Sequence, residues 1–346
     1  MSVQSSTAPA VESSPEGARP APARRRRLLD FAEAYGLILL TIAVIAFFAL
    51  LPASSDTFFT MANLRIVLVD QAVLMVVALA VLVPMVAGVW NFTPGAAAGM
   101  ASIYAAQVGA SSGSFALAAL AGIAAGAVVG AVVAVLITTT KINSVIATFA
   151  MTIIIAGVVD LETGGNSIVS GLPRTFNTLG TGEVLGIPTL FWLAAIVAAV
   201  VHYLMRMTPF GRSLYATGAN RQAAKLVGLR VERLTALALI VSGVLAGIAG
   251  VILLARSGAG NPTVGPGFTI PAFAAVFLGA VAVRPGQWNV GGLIAAIAFL
   301  GALNSGLTLA GAAASVSALA SGLALLVGVG FANVFARQRG RQLETS

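Results

Sequence analysis

The chain has 346 residues, 58% of them hydrophobic and only 9% charged, with a mean hydropathy of +0.99 and a formal net charge of +8. Soluble domains carry about 25% charged residues, so a water-covered globule is excluded and the apolar segments must face lipid. Cysteine is absent, which removes disulfide and thiolate chemistry.

In lipid every backbone N–H and C=O needs a partner within the protein, which leaves helices or closed barrels. The apolar runs are long and lack the alternation of barrel strands. The fold class is therefore all-α, a polytopic membrane helix bundle. Residues 1–30 read as a disordered N-terminal tail, rich in Ala, Pro and Ser at its start. Arg24 to Arg27 form a basic block directly before the first apolar run. No small-residue cleavage site clearly follows, which favours a membrane anchor over a signal peptide.

A span needs roughly 20 residues. Hydropathy places candidates at 35–52, 64–87, 94–111, 114–138, 143–160, 187–206, 235–256, 269–283, 289–310 and 313–336. They give about ten transmembrane helices in a domain of residues 31–336, followed by a short tail, 337–346. The eighth candidate is short and follows Gly260, Pro262, Gly265, Pro266 and Gly267, which predicts a broken or half-membrane helix near 262–283. Gly122, Gly126 and Gly130 recur at four-residue spacing, as do Gly243 and Gly247. Small residues at that spacing let helix backbones approach closely.

With ten spans both termini share a side. On that side fall 16 of the 19 Lys and Arg, while Arg65, Arg174 and Arg256 fall opposite. The positive-inside rule makes the basic side cytoplasmic, so topology accounts for the net charge without nucleic acid. Asp70 is placed near Arg65 at the outer end, where snorkelling is the plainer reading and a role in proton coupling the alternative. The only histidine, His202, sits near the inner end of a span beside Arg206 and reads as an interfacial or packing residue.

The longest cytoplasmic connection is the 208–235 loop, with five basic residues against one acid, Glu232. Asn220 has the chemistry of a helix N-cap, helix formers follow it, and Gly228 suits the left-handed closing position. A stiff, capped, basic helix outside the bilayer is a surface on which another protein can push; a solvated topogenic loop is the plainer reading.

This loop and the helix after it carry a resemblance. The stretch FGRSLYATGANRQAAKLVGLRVERLTALALIVSGVLAGIAGVILLAR is similar to the corresponding region of the ribose-type ABC sugar importer permeases. The likeness continues through Leu278-Gly279, the Arg284-Pro285-Gly286 turn and 301–306 (Gly-Ala-Leu-Asn-Ser-Gly), and covers most of residues 60–335. It implies a bacterial inner-membrane permease, with both termini cytoplasmic, that moves a sugar or sugar-like solute inward. It implies three partners: a cytoplasmic ABC ATPase, an extracytoplasmic substrate-binding protein and a second permease chain. In relatives this loop docks on the ATPase, so Gly211, Arg212, Gly218, Asn220, Ala224 and Gly228 inherit a coupling role. Relatives carry Gly-Gly-Ile-Asp-Leu-Ser-Val-Gly between the second and third spans, where this chain has Gly88-Val89-Trp90-Asn91-Phe92-Thr93-Pro94-Gly95. Asn91 thus stands where Asp is usual. Two readings of this patch are compatible: a helix start with Thr93 as N-cap and Pro94 at the first position, and a pathway contact through Asn91, Phe92 and Thr93. Asn304 and Ser305 are further pathway candidates.

No Gly-x-x-x-x-Gly-Lys-Ser/Thr phosphate loop is present, so ATP would be bound by a partner and the chain itself needs no cofactor. No HExxH motif and no acid/base pair points to an enzyme. Permeases for nucleosides or branched-chain amino acids, and an ATP-independent channel or carrier, are the alternatives. Sparse intramembrane charge argues against an ion-coupled carrier.

Overall fold

The computed structural model describes residues 23–52, 54–313, 315–320, 322, 323 and 326, with side chains from Tyr35 onward. The tail 337–346, most of the tail before Ala23 and the last part of the tenth predicted span lie outside the described residues. The chain folds as α1 (Ala23–Leu50), α2 (Ser55–Phe58), α3 (Met61–Val86), α4 (Pro94–Ser112), α5 (Phe115–Thr138), α6 (Ser144–Thr163) and α7 (Arg174–Thr181). A two-residue hairpin, β1 (Glu183–Val184) with β2 (Ile187–Pro188), leads to α8 (Thr189–Met207), α9 (Pro209–Ala219), α10 (Arg221–Leu226) and α11 (Val231–Ser257). A 3-10 turn (Gly265–Phe268) then opens α12 (Thr269–Gly279), and α13 spans Val290–Leu309. Residues 315–320 are again helical.

The fold is nearly all-α. Each of the first nine predicted intervals holds a helix, but six of the described helices are long and apolar enough to cross a membrane: α3, α5, α6, α8, α11 and α13. Two others are apolar but short, Tyr35–Leu50 within α1 and Gly265–Gly279. α4 has the length but is rich in Gly, Ala and Ser. Its weak hydropathy has a packing reason: α3, α5, α6, α11 and the 3-10 turn surround it, so little of it needs to suit lipid. α1 begins at Ala23, inside the stretch read from sequence as tail; past Pro22, Arg24 to Leu29 are good helix formers without Gly or Pro.

The predicted glycine seam is the centre of the bundle. α5 crosses α11 antiparallel, with Gly126 against Gly243 and Gly247, and Gly130 against Leu239 and Gly243. A Cβ on Gly126 would lie 2.6 Å from the Gly247 nitrogen, and one on Gly130 2.6 Å from the Leu239 carbonyl oxygen. Gly250, one turn beyond, meets the Ala98 carbonyl of α4 in the same way, at 2.5 Å. Three helices thus pack backbone to backbone, which maximises dispersion contact where no hydrophobic effect between helices operates.

The predicted broken helix is also present. After α11, residues 258–264 run back along α4 in irregular conformation, pinned by mutual Ile168–Gly260 backbone hydrogen bonds of 2.9 Å. The 3-10 turn then presses Gly265 onto Gly95 and Gly99, leaving no room for a side chain at Gly95 or Gly265 and little at Gly99. Beyond it α12 has only 11 residues.

Gly247→Val would drive a branched side chain into the α5 backbone, where overpacking costs about 3 kcal/mol or more. Purified Gly247→Val protein should show a clearly lowered thermal midpoint in detergent. Gly157→Ala, at a site with nothing within 4 Å, should leave the midpoint unchanged.

Candidate functional site

The loops and helix ends sort onto two ends of the bundle. At one end lie the 86–88 turn, α9, α10, the start of α11 and the 280–289 turn. The Tyr215 hydroxyl of α9 donates to the Trp288 carbonyl at 2.6 Å, and burial pushes the Tyr215 phenol above its ordinary pKa against the opposing pull of Arg284. Gly218 rests on the backbone of Val86 and Ala87, and Gly211 on that of Met205 at the end of α8, both too closely for a Cβ. α9 was not foreseen, although Thr208-Pro209 is a helix-start signal: Pro209 occupies the first turn and the Thr208 hydroxyl accepts from the Gly211 N–H at 3.4 Å. Leu214 and Thr217 of α9 are buried. The loop read from sequence as one short helix is therefore a packed helix followed by a protruding one.

The protruding helix α10 is built as expected. Asn220 caps it, accepting from the Gln222 N–H at 3.0 Å and the Ala223 N–H at 2.9 Å. Gly228 closes it at φ +84°, its N–H bonded to the Lys225 carbonyl at 3.0 Å. Lys225 pairs with Glu232 at 2.6 Å, bracing α10 against the first turn of α11. Ala224 is buried and anchors the helix from within. Arg212, Arg221, Lys225 and Gly228 are exposed, and beside them Leu226 and Val227 are 89% and 77% exposed. Those two apolar side chains were missed; their signal is a large aliphatic pair in an otherwise polar loop.

The segment 88–93 turns from this end into the bundle. Asn91 is only 2% exposed. Its Nδ2 donates to the Ser242 hydroxyl at 3.1 Å, and that hydroxyl donates to the Ala80 carbonyl at 2.5 Å. The Asn91 Oδ1 accepts from the Thr93 N–H at 3.1 Å and the Thr93 hydroxyl at 2.7 Å. Thr93 holds the N-cap position with Pro94 following, but its hydroxyl makes no cap bond, because Asn91 takes it. One buried amide therefore ties the start of α4 to the middle of α11 and to α3. Phe92 lies beside Asn91 in a stack with Phe149 at 4.3 Å and Phe273 at 4.5 Å.

Asn304 and Ser305 are elsewhere. The Ser305 hydroxyl donates to the Asn63 Oδ1 at 2.9 Å, near the start of α3, about 25 Å along that helix from Ala80. Ser305 lines a cavity of about 670 Å³ between α1, α3, α8 and α13, together with Gln71 and His202. The five pathway candidates therefore fall at two places and do not converge.

The opposite end is held by charge. Arg256 at the end of α11 pairs with Asp70 at 2.6 Å, and Arg65 pairs with Glu183 at 2.8 Å. Asp70 is thus held by Arg256, 186 positions on, and not by its sequence neighbour Arg65, which β1 takes. The four residues line one cleft of about 350 Å³ with residues 180–182. Among the described residues no group of three or more His, Cys, Asp or Glu could hold a metal.

Residues 63–329 match the family model described as branched-chain amino acid transport system / permease component. The chain belongs to this family. It is 29% identical to the ribose import permease protein of Escherichia coli (strain K12) over 83% of this chain and 91% of that one. It is 29% identical to the autoinducer 2 import system permease protein of Salmonella typhi, over 82% of each, and 28% identical to the L-arabinose ABC transporter permease protein of Azospirillum brasilense, over 92% and 93%. No solved structure matches. The chain is thus a multi-pass inner-membrane permease component, a transport rather than an enzyme family, and such import systems work with an ATPase and a binding protein.

Asn91→Ala would leave the Thr93 N–H and hydroxyl unpartnered in the interior, at a cost of about 1 to 3 kcal/mol. Asn91→Asp keeps the bonds from Thr93 but replaces the donor to Ser242 with a buried carboxyl, so it should be the milder change only at low pH, where that carboxyl is protonated. Thermal unfolding of the two variants, each also paired with Ser242→Ala, checks this; the Ser242 change should add less to Asn91→Ala than to the wild type.

Proposed function

We propose that the chain is the membrane-spanning subunit of an ABC importer that carries a sugar or sugar-like solute into the cytoplasm, with ATP hydrolysis in a separate subunit. The observation that carries this reading is the lever at the basic end. α10 protrudes as a capped, basic helix tipped by Leu226 and Val227, and α9 behind it is packed onto α3, α8 and α11. A load applied to α10 reaches the bundle through Gly218 on the 86–88 turn and through Tyr215 on the 280–289 turn. In this reading Gly211, Gly218, Asn220, Ala224 and Gly228 shape the lever, while Arg212 and the exposed face of α10 meet the ATPase. The names of the relatives, which specify ribose, autoinducer 2 and L-arabinose import, support the solute class.

The proposed topology has ten passes with both termini cytoplasmic. It is supported by the gathering of Arg212, Arg221, Lys225, Arg230, Arg233 and Arg284 at one end of the fold. Two permease chains form the pathway, and a substrate-binding protein delivers solute at the opposite end. Asn91, Phe92 and Thr93 are proposed to shape the pathway at the level of α4's start, with Asn304 and Ser305 as a separate polar pair nearer the opposite end.

Gly228 sits at a positive φ that proline cannot adopt. Gly228→Pro protein should insert and bind its ATPase, yet sugar uptake should fall at least tenfold while ATP hydrolysis continues; normal uptake by a correctly inserted variant refutes the lever. Leu226→Asp should reduce ATPase co-purification at least tenfold, because a charge replaces the apolar tip. Retention of the ATPase by that variant, or failure of the wild type to capture one, counts against this docking surface.

A further inference from the structure

Two stretches of irregular backbone enter the middle of the bundle from opposite ends. Residues 88–93 reach the level of Ser242, about 16 Å along an α11 about 40 Å long. Residues 258–264 run down part of α4, from Gly260, beside Ala106, to Gly265, beside Gly99. In hydrocarbon, unpaired backbone finds no partner, so non-helical segments at this depth border protein or a water-filled space and never lipid. On the face where 88–93 and α12 lie together, Val89, Asn91 and Thr93 are buried against protein and Trp90 is left exposed.

That face carries a column of aromatic rings. Phe149 of α6 stacks on Phe92, and Phe92 on Phe273 of α12, with interplanar angles of 21° and 23°. Trp90 lies nearly parallel to both Phe92 and Phe273, at 13° and 15°, with centroids 6.2 Å from each. Phe277 continues the column from Trp90 at 5.5 Å, and Trp288 meets Phe277 edge-on at 5.2 Å. Trp288 is the residue whose carbonyl Tyr215 holds, so the column ends on the lever. Phe273 and Phe277 form a buried back, whereas Trp90 is 41% and Phe149 50% exposed. Local packing alone would bury the largest ring first; here the indole is left open within a non-helical segment.

We propose that this column is the inner half of the solute pathway, and that sugar rings pass it by stacking their C–H faces on Trp90 and Phe149. The proposal rests on the reading of the chain as a sugar importer permease. One face of an aldose is lined by weakly polarised C–H groups that suit the negative face of an aromatic ring. Contacts of this kind are weak and repeat from ring to ring, as conduction requires: strong enough to admit, too weak to trap. They also need no ionised group. The column's lower end at Trp288 places the release point where movement of α9 would be felt.

The test has two arms. In the first, Trp192→Phe and Trp288→Phe leave Trp90 as the only tryptophan of the full chain, in nanodiscs with its ATPase. Iodide should quench Trp90 emission and lipid with brominated acyl chains should not. Quenching by brominated lipid, or by neither agent because a second copy seals the face, overturns the proposal. In the second arm the complex is reconstituted with its binding protein and the aldose that this protein binds best among ribose, arabinose, xylose, glucose and galactose. The sugar carried per ATP hydrolysed should fall at least tenfold in Trp90→Ala and in Phe149→Leu, and Trp90→Phe should restore at least half. A Phe149→Leu complex that carries sugar with the wild-type ratio overturns the stacking role, and Phe149, half exposed on α6, is a position where folding tolerates the change. Transport of no aldose by the wild-type complex would instead refute the sugar reading, and the quenching arm would still report on the column.

Discussion

The structure depends on one close approach: the backbones of α5 and α11 meet through Gly126, Gly130, Gly243 and Gly247 with no space for a side chain between them. Helices in a bilayer gain nothing from hiding apolar surface from each other, since lipid is equally apolar, so shape must supply the adhesion. Because α5 and α11 lie this near, α4 can sit in their joint groove, with Gly250 on Ala98 and Gly122 on Ala101 and Ala105. α4, in turn, is the wall along which residues 258–268 descend. A side chain at the central seam would displace each of these layers.

The same α11 links the two regions of functional interest. Its first turn is braced to α10 by Lys225–Glu232, and its middle holds Asn91 through Ser242. A rigid helix of 27 residues therefore joins the proposed ATPase contact to the start of α4 and to Phe92 and Trp90 beside it. Interfaces of this kind shift between discrete packings more readily than they stretch, which suits a machine whose two ends must act together.

Much of this was legible in the sequence because its causes are local. The four-residue glycine spacing, the Asn220 cap, the Gly228 closure and the Gly/Pro cluster before α12 each follow from rules that act within a few residues. What stayed hidden depends on long-range partners. Asn91 as a buried hub needs Ser242, 151 positions away, and the aromatic column gathers rings from four separate segments. Asp70 lies close to Arg65 in the chain, but the fold brings Arg256 to it. α4 shows a different limit: a helix wrapped in protein has no need of lipid-like composition, so hydropathy underrates it.

The two ends of the bundle are fastened by different chemistry. At the basic end the fastenings are mainly caps, glycine contacts and buried aliphatic side chains. At the other end, Arg65–Glu183 and Arg256–Asp70 are partly exposed ion pairs, which ions in solution weaken as the screening length shortens. The grip of α3 on β1 and α11 at that end therefore depends on ionic strength, as at the basic end does the Lys225–Glu232 brace of α10, while α9 is held there by contacts that salt does not screen. The firmness of the cleft lined by Arg65, Asp70, Glu183 and Arg256 is a property of the medium as much as of the protein.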